Sequence, residues 1–503
     1  MTDIERKRQQ LQIVLDSGKQ PLERNKLGQY STPYHLACQI CKYMKAYTGD
    51  RIESFLEPSI GTGVFYSALS EIADIRRAVG YEIDSYYFNP TEELWRDHKI
   101  KLINQDFLGT NPIEKFSLII ANPPYSRHHY ISTELKAKLS TKLKDLYGIK
   151  LSGLAGLHIY FVMLSAQWLK DDGYSCWLIP TEFLSVNYGI ELKKFLLNHV
   201  DLISIHSYDN SDVQFNDALV SSTILVFRKS KNRVKYVNFS WGSDINKPCQ
   251  SIKISKSELV PQNKWTKEIL LNKDKYEDSN ITIGSYFNIK RGVATGDNGF
   301  FIINNEIRET YNIPKSVLTP LIPPPRKLRT NIYTAEDLSS DRLYLITCHD
   351  SLDVIKEKYA GLYNYIEKGV RDGVNLRANC RNRTPWYSLE KRDTPPILVS
   401  YMGRNSNESS LPIKFILNHA NVIATNSYLC LYIKDEYKHN LNDETYKNIW
   451  IVLSSIPKDV LMAHGRMYGG GLLKWEPKEL ESIPCPELSN YLKPRQLSLF
   501  DTI

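Results

Sequence analysis

The sequence lacks the features that mark membrane, secreted and repeat proteins. No apolar run reaches the roughly 20 residues needed to cross a bilayer, and the N-terminus is too charged for a signal peptide. No internal repeat, coiled coil or low-complexity tract interrupts its 503 residues. These absences indicate a globular chain that does not associate with a membrane and is long enough for two or three domains.

Cysteine is also sparse. The eight cysteines are scattered rather than arranged as a disulfide framework, which favours free thiols in a reducing, cytoplasmic setting. Cys38 and Cys41 have the spacing of half a zinc site, but no second pair completes it, and one face of a helix explains them better. We therefore expect no metal.

The charge balance is mildly basic. Lys and Arg number 64 against 56 Asp and Glu, and the net charge of +8 suits a polyanionic partner without requiring one. The 32 Tyr, 16 Phe and 8 Trp supply many rings that can stack, although most aromatic side chains of a globular protein lie in its core. Composition alone therefore leaves the partner open.

The most informative stretch is an apolar run that ends in two prolines, Leu118-Ile119-Ile120-Ala121-Asn122-Pro123-Pro124-Tyr125. Its length and its boundary predict a buried strand of a parallel sheet, because proline cannot donate to a strand ladder. The strand's carboxyl end then carries the amide of Asn122, the carbonyl of Pro123 and the ring of Tyr125. Two acceptors match the two hydrogens of an exocyclic amino group, and a ring can stack on a flat heterocycle. The stretch predicts a pocket for an amino-bearing base, although an ordinary strand and Pro-rich turn share these four residues.

Other predicted strand ends carry residues suited to a nucleotide-like ligand. A strand over residues 52–56 leads into Glu57-Pro58-Ser59-Ile60-Gly61-Thr62-Gly63 and then a helix, which is how a doubly wound fold begins. The turn is neither a G-x-G-x-x-G fingerprint nor a P-loop. The next strand ends near Glu82, where a carboxylate accepts ribose hydroxyls, and a third runs into Asp106. Either acid alone is more often a solvated charge, but with the glycines and Asn122 they predict one site.

Two loops complete the candidate site. The loop from Asn25 leads to a helix that begins near Pro33, so the Thr32 hydroxyl stands where a helix N-terminus can hold a carboxylate or carbonyl, or simply caps the helix. Phe215, in a loop before an apolar strand, is positioned either to cover the second face of a base stacked on Tyr125 or to anchor its loop in the core.

A loss of periodicity predicts the domain boundary. Lys, Asn and Ser dominate between Arg228 and Lys264, which indicates a junction and divides the chain into residues 1–245 and 246–503. Basic clusters mixed with aromatic residues in the second part indicate a surface that faces a nucleic-acid duplex, although each cluster alone is by default a solvated face. The densest cluster comprises Arg377, Arg381, Arg383, Lys391, Arg392 and Arg404.

Together these residues resemble the gamma class of amino-methyltransferases, the N6-adenine DNA methyltransferases of type II restriction–modification systems. The resemblance covers essentially the whole chain, because the block ending at Pro33 precedes the Glu57-to-Gly63 turn, the Asn122-to-Tyr125 motif follows, and a recognition half comes last. The blocks 291–296 (Arg-Gly-Val-Ala-Thr-Gly) and 473–477 (Leu-Lys-Trp-Glu-Pro) look like the start and end of that family's target-recognition domain. Ser59-Ile60 departs from the small residues common in the family's cofactor turn.

The resemblance implies an α/β fold, a doubly wound, mostly parallel, seven-stranded Rossmann-like sheet of the class I methyltransferase kind, with a C-terminal α+β target-recognition domain. It implies S-adenosylmethionine as methyl donor and an adenine flipped out of double-stranded DNA as substrate. It also implies a monomer that works alongside a separate restriction endonuclease.

The family's site residues carry over by position. The cofactor set is Thr32, Glu57, Gly61, Gly63, Glu82, Asp106 and Asn122. Within it, Thr32 and the turn would hold the methionine part, Glu82 the ribose hydroxyls and Asp106 the adenine amino group. The target-base set is Asn122, Pro123, Tyr125 and Phe215.

The chemistry suits these residue types. The lone pair of adenine N6 is delocalised into the ring, so two acceptors on its hydrogens favour a pyramidal nitrogen and stabilise the positive charge that develops. Flipping a base costs a few kcal/mol, and stacking returns roughly 1–3 kcal/mol per ring. No covalent nucleophile is needed.

Four other functions share part of the pattern. RNA-amine and protein-glutamine methyltransferases use the same motif, but the basic C-terminal half and the order of the blocks argue against them. A non-catalytic DNA-recognition subunit with a decayed site is disfavoured by the intact Asn122 and Glu82. A fused endonuclease is disfavoured because Glu134 to Lys136 lacks a Pro-Asp partner.

Overall fold

The computed structural model of the chain describes residues 2–20, 23–24, 27–126, 130–208, 221–271, 281–338, 342–404, 413–439, 441–468 and 472–494. By its internal contacts the chain divides into two compact units. They are Met1–Leu271 with Tyr468–Gly471, and Asn272–Met467 with Leu472–Ile503. None of the described helices combines the length and apolarity needed to cross a membrane.

The first unit is built on one large sheet. Its strands are β2 (Phe55–Glu57), β4 (Ala78–Tyr81), β5 (Ile100–Ile103), β6 (Phe116–Ala121), β7 (Leu169–Pro180), β8 (Asp201–Ser207), β9 (Ser222–Arg228), β10 (Tyr236–Trp241) and β11 (Gln250–Ser255), while β1 (Arg51–Ile52) and β3 (Asp74–Ile75) form a separate parallel pair. The order across the sheet is β11-β10-β8-β9-β7-β6-β2-β4-β5. Strands β5, β4, β2, β6 and β7 are parallel, and β9 is antiparallel between β7 and β8. The predicted doubly wound, mostly parallel sheet of seven strands is therefore confirmed as a core, which two further strands extend.

Those two strands occupy the region predicted to be a domain junction. β10 pairs in parallel with β8, and β11 pairs antiparallel with β10. Residues 246–271, assigned from the sequence to the second domain, therefore lie in the first unit. In β10 the buried Val237, Phe239 and Trp241 alternate with polar residues. β11 forms the edge of the sheet, and half of its residues are exposed, which adds to the polar composition that obscured these strands.

Helices cover both faces of this sheet. They are α1 (Asp3–Gly18), α2 (Tyr34–Thr48), α3 (Val64–Ser70), α4 (Ser85–Trp95), α5 (Thr133–Tyr147), α6 (Leu157–Ser165), α7 (Ile190–Asn198) and α8 (Lys267–Leu271). Alternate residues of β6 belong to two different cores: Ile119 and Ala121 pack in one, Leu118 and Ile120 in the other. Burial on both faces is why this strand is a continuous apolar run.

One apolar stretch divides between a helix and a strand. Residues 153–170 predict a single buried helix, but α6 ends at Ser165 and β7 already begins at Leu169. Buried helices and buried parallel strands are both apolar throughout, so the sequence does not mark the change from one to the other.

The second unit has α+β architecture, as the resemblance implied. Its strands are β12 (Phe287–Arg291), β13 (Ile302–Ile303), β14 (Leu318–Leu321), β15 (Ile332–Tyr333), β16 (Leu343–Ile346), β17 (Ile397–Ser400), β18 (Met402–Arg404), β19 (Phe415–Asn418), β20 (Tyr428–Ile433), β21 (Arg466–Tyr468) and β22 (Leu472–Lys474). Its helices are α9 (Ile283–Tyr286), α10 (Asn298–Phe301), α11 (Asn305–Thr310), α12 (Leu352–Lys358), α13 (Ala360–Arg371), α14 (Ala378–Arg381), α15 (Asp443–Ser454), α16 (Lys458–His464) and α17 (Pro477–Glu481). The main sheet has the order β12-β20-β17-β19-β15, and β13, β16 and β14 form a smaller one.

Candidate functional site

A cavity of about 1010 Å³ opens where four strands of the first unit end. Its walls come from the ends of β2, β4, β5 and β6 and from the N-terminal segment of the chain. β2 and β6 are neighbours whose onward connections lead to opposite halves of the sheet, so the cavity lies at the topological switch point, where ligands of such sheets bind. The predicted site residues that line it are Thr32, Glu57, Gly61, Glu82, Asp106, Asn122 and Pro123.

Three predicted residues are not among those that line the cavity. At Gly63, where φ is +84°, an added Cβ would stand 2.7 Å from the indole nitrogen of Trp95, so this glycine makes room for a packed ring. Tyr125 donates its hydroxyl to the Leu178 carbonyl (3.0 Å), and its ring packs against Tyr30, with 5.8 Å between centroids. Phe215 lies outside the described residues, and its position opposite Tyr125 stays a prediction.

The amide of Asn122 is held in one orientation. Its Nδ2 donates to the carbonyl of Tyr30 (3.0 Å) and to Oγ1 of Thr32 (3.0 Å). A carbonyl can only accept, so it determines which end of the amide carries the nitrogen. The remaining atom, Oδ1, is buried and has no hydrogen-bond partner among the described residues. A buried acceptor without a donor costs about 1–3 kcal/mol, and a ligand that donates to it recovers this energy.

The cofactor turn is joined to the backbone, not to the side-chain amide, of Asn122. Ser59, one of the two residues that depart from the family pattern, donates its hydroxyl to the Asn122 carbonyl at 3.0 Å. At Gly61, φ is +54° and no atom lies within 4 Å of an added Cβ, so the backbone there is open to a ligand. The departure at Ser59 thus adds a contact between β2 and β6 at the cavity wall.

Glu82 connects the turn to the end of β4. Its Oε2 accepts from the Gly61 N–H (3.0 Å), and its Oε1 accepts from the Asp84 N–H (2.9 Å). Burial raises the pKa of Glu82 against the opposing effect of these two bonds. Each carboxylate oxygen can accept a further hydrogen bond, so the group is suited to a pair of ligand hydroxyls.

Asp106 follows β5 in the same way. Its Oδ1 accepts from the Leu108 N–H at 3.0 Å, and this bond orients the carboxylate at the cavity wall. Among the described residues, no three His, Cys, Asp or Glu side chains lie close enough together to hold a metal ion.

The N-terminal helix contributes to the site in a way that sequence reasoning missed. Arg8 and Glu5 form a fully buried ion pair on α1, and Arg8 Nη1 donates to the Thr62 hydroxyl at 2.8 Å. Gln12, one turn further along α1, accepts from the same hydroxyl at 2.5 Å. Glu5 and Arg8 are three positions apart in the sequence, but an ion pair on the exposed face of a helix has the same spacing, so the sequence does not show that this pair is buried.

The segment after α1 also borders the cavity. Lys19 pairs with Asp84, and Gln29 Nε2 donates to the same carboxylate at 3.1 Å. Burial opposes ionisation of Asp84, but the hydrogen bonds from Lys19 and Gln29 prevail and lower its pKa. Lys19 Nζ lies 5.2 Å from the centre of the Tyr87 ring, and these contacts fix the segment over the end of β4.

Glu57 is a buried carboxyl group that is expected to make the stability of the protein depend on pH. It is 1% exposed at the end of β2, its Oε2 accepts from the Tyr66 N–H (3.2 Å), and burial raises its pKa well above the usual value of 4.5. A carboxyl whose pKa is higher in the folded protein contributes stability that is fully present below its unfolded pKa and is lost as the pH rises through the folded pKa. Glu57→Gln removes this titration. We therefore expect the difference in Tm, variant minus unsubstituted protein, to increase as the pH rises above about 4.5.

Thermal unfolding of both proteins from about pH 5 to about pH 9 checks this expectation. Other groups titrate equally in the two proteins, so the difference between them isolates Glu57. A difference in Tm that does not change with pH would contradict the prediction.

Two family models match the chain. "Eco57I restriction-modification methylase" matches residues 69–215, and "Type II methyltransferase M.Eco57I, C-terminal domain" matches residues 262–503. The first match includes the ends of β4, β5 and β6, and the second covers nearly all of the second unit.

Curated relatives extend over almost the whole chain. The type II methyltransferase M.AccI of Acinetobacter calcoaceticus is 27% identical over 478 residues, which is 91% of this chain and 85% of the relative. M.XamI of Xanthomonas campestris pv. amaranthicola is 25% identical (86% of this chain, 81% of the relative), and M.HindII of Haemophilus influenzae is also 25% identical (93% and 90%).

Two solved structures share the fold across both units. The type IIL restriction–modification enzyme MmeI, solved in complex with DNA, gives a TM-score of 0.51 at 13% identity over 92% of this chain and 73% of its own. The DrdV–DNA complex gives a TM-score of 0.52 at 11% identity, over 98% of this chain and 59% of its own. At these identities the likeness establishes the fold alone.

Proposed function

We propose that the chain is a DNA methyltransferase of the restriction–modification type that methylates the N6 amino group of an adenine turned out of double-stranded DNA. The modification would protect host DNA from a separate restriction endonuclease. The observation that carries this proposal is at Asn122, which lines the cavity together with Pro123 and whose buried Oδ1 has no donor among the described residues.

The methyl donor is S-adenosylmethionine, which supplies an electrophilic methyl group on a sulfonium. The residues present fit this cofactor. The two oxygens of Glu82 would accept ribose hydroxyls, Asp106 would accept from the adenine amino group, and Gly61 lets the ligand approach the turn. A volume of about 1010 Å³ lies at the upper end of what ligand sites provide, so the cavity has room for a cofactor and for a base.

The chain's own contribution to the reaction is to activate the amine. Asn122 Oδ1 and the Pro123 carbonyl would accept the two N–H groups of the target amine, which withdraws its lone pair from conjugation with the ring. The same acceptors stabilise the positive charge that develops on the nitrogen, an effect worth on the order of 10²-fold per group. Because both acceptors follow a strand that two prolines terminate, they keep their positions while the base arrives.

Thr32 has two proposed roles, which are to orient the Asn122 amide and to bind the carboxylate of the cofactor. Its hydroxyl accepts from Asn122 Nδ2 and so retains a hydrogen that it can donate to the cofactor's carboxylate. We expect Thr32→Val to lower kcat about 5- to 10-fold, because one of two restraints on the amide is lost, and to weaken cofactor binding several-fold. Thr32→Ser keeps the hydroxyl and is expected to stay within about twofold of the original protein in both quantities.

Single-turnover methylation and calorimetric titration with S-adenosylmethionine separate these two effects. If Thr32→Val lost only cofactor affinity, Thr32 would be a cofactor ligand with no part in positioning Asn122. If Thr32→Ser were as impaired as Thr32→Val, the shape of the side chain would matter rather than its hydroxyl.

The function itself is tested by sequencing DNA from a methylation-free host that expresses the protein, with detection of modified bases. N6-methyladenine confined to one short sequence is the expected result. N4-methylcytosine would overturn the assignment of the base but keep a DNA methyltransferase, since the cytosine amine presents the same two hydrogens. Unmodified DNA, together with methyl transfer by the purified protein to RNA or to protein glutamine, would overturn DNA as the substrate.

A further inference from the structure

A short basic segment of the second unit presents its outer side to solvent. This ridge, residues 376–382, includes α14 and the residues on either side of it. The apolar side chain of Leu376 is 72% exposed. The exposed polar side chains of the ridge are Arg377, Asn379, Arg381 and Asn382. Residues 373–389 contain three arginines and no acidic residue.

The ridge is held from below by the loop over residues 291–296, whose sequence is similar to the start of a target-recognition domain. Arg383, just beyond the ridge, donates to the carbonyls of Ala294 (2.6 Å) and Thr295 (2.7 Å). At Gly296, where φ is +86°, an added Cβ would stand 3.0 Å from both Asn379 Cβ and Cys380 Sγ. The glycine therefore allows α14 to rest directly on the loop, and the ridge is a preformed surface.

The three arginines of residues 373–389 differ in their contacts. Arg377 pairs with Asp297 at 2.8 Å, and Arg383 is committed to the two carbonyls. Arg381 has no acidic partner among the described residues, and its side chain is exposed. The ridge therefore presents to solvent the guanidinium of Arg381, which has no acidic partner among the described residues, together with two asparagine amides and the exposed Leu376.

We propose that this ridge contacts duplex DNA, with Arg381 at a phosphate and Leu376 packed against the sugars or bases of a groove. The inference rests on the proposed function and adds to it a location for one DNA contact. Guanidinium groups neutralise phosphates, and proteins that deform DNA insert apolar side chains beside such cations. A protein partner fits less well, because stable protein interfaces bury around 800 Å² per partner and have an apolar core, whereas the leucine here is surrounded by polar side chains.

Binding of a fluorescein-labelled duplex of random sequence, measured by anisotropy at several salt concentrations, tests the phosphate contact. We expect Arg381→Ala to weaken binding about 3- to 10-fold and to reduce the slope of log K against log salt by about 1. Lys358→Ala, on exposed α12 of the same unit, is the matched control and is expected to leave both unchanged. An unaltered salt slope for Arg381→Ala would overturn the contact.

The rate of methylation of plasmid DNA tests the proposed contact between Leu376 and a DNA groove. We expect Leu376→Ala to lower the rate about 5-fold with an unchanged salt slope, because packing is lost without charge. Leu352→Ala, 39% exposed on α12, is its control. A Leu376→Ala rate equal to that of the control would overturn the groove contact, and a selective effect of either variant on single-stranded RNA would overturn duplex DNA as the partner.

The two experiments distinguish a wrong inference about the ridge from a wrong proposal about the function. If the unsubstituted protein methylates DNA and both ridge variants match their controls, the ridge inference fails and the function stands. If it methylates no DNA while Arg381→Ala still reduces the salt slope, the ridge binds DNA but the function is wrong.

Discussion

Asn122→Ala is expected to lower kcat for methyl transfer at least about 10²-fold while leaving DNA binding and cofactor binding nearly unchanged. The variant removes a buried acceptor, on a residue of the cavity wall, that has no donor among the described residues. It also leaves the strand that carries it intact, because Ile119 and Ala121 continue to pack in one core and Leu118 and Ile120 in the other. The loss therefore falls on stabilisation of charge in the transition state, with little effect on folding.

Two further variants sharpen this test. Asn122→Asp keeps an acceptor but sets a carboxylate oxygen against the Tyr30 carbonyl, where Nδ2 now donates at 3.0 Å. We expect it to retain more activity than Asn122→Ala and less than the unsubstituted protein. Asn198→Ala, an exposed amide at the end of α7, is the control and is expected to be fully active. Full activity of Asn122→Ala in single-turnover assays would remove Asn122 from the mechanism.

Glu82→Ala is expected to weaken binding of S-adenosylmethionine about 10- to 100-fold. The carboxylate accepts from the Gly61 N–H and the Asp84 N–H, so its loss both removes the proposed ribose acceptors and releases the cofactor turn from the end of β4. Hydrogen bonds to charged groups contribute about 1.5–3 kcal/mol each, so even one lost ligand contact accounts for the lower figure. Calorimetric titration of the cofactor into each protein measures the change directly.

Glu92→Ala is the matched control for this prediction, because Glu92 is an exposed carboxylate on neighbouring α4. Its Kd for S-adenosylmethionine is expected to equal that of the unsubstituted protein. A Kd for Glu82→Ala within about twofold of that value would show that the ribose is held elsewhere.

The strand ends of the site could be predicted because their signals are local. A short apolar run closed by prolines marked β6, and an acid after each of β4 and β5 marked the same edge of the sheet. Parallel strands place their carboxyl ends together, so residues far apart in sequence could be assigned to one site without coordinates. The boundary between α6 and β7 had no comparable signal, because helices and strands that are buried throughout are both apolar. β10 does alternate, with Val237, Phe239 and Trp241 buried, but the Lys-, Asn- and Ser-rich stretch around it outweighed that pattern.

By itself the sequence determined that the ends of β2, β4, β5 and β6 form one edge of a sheet, because strand ends follow from hydrophobic pattern and from proline and glycine chemistry. Only the tertiary structure decided how those side chains are oriented. Asn122 is turned by Tyr30 and Thr32, 92 and 90 positions away, and the cofactor turn is braced by Arg8, 54 positions before Thr62. Gly63 proved to admit Trp95 rather than to border the cavity. Such contacts join distant parts of the chain, and their geometry is set by the packing of whole elements, which no local pattern encodes.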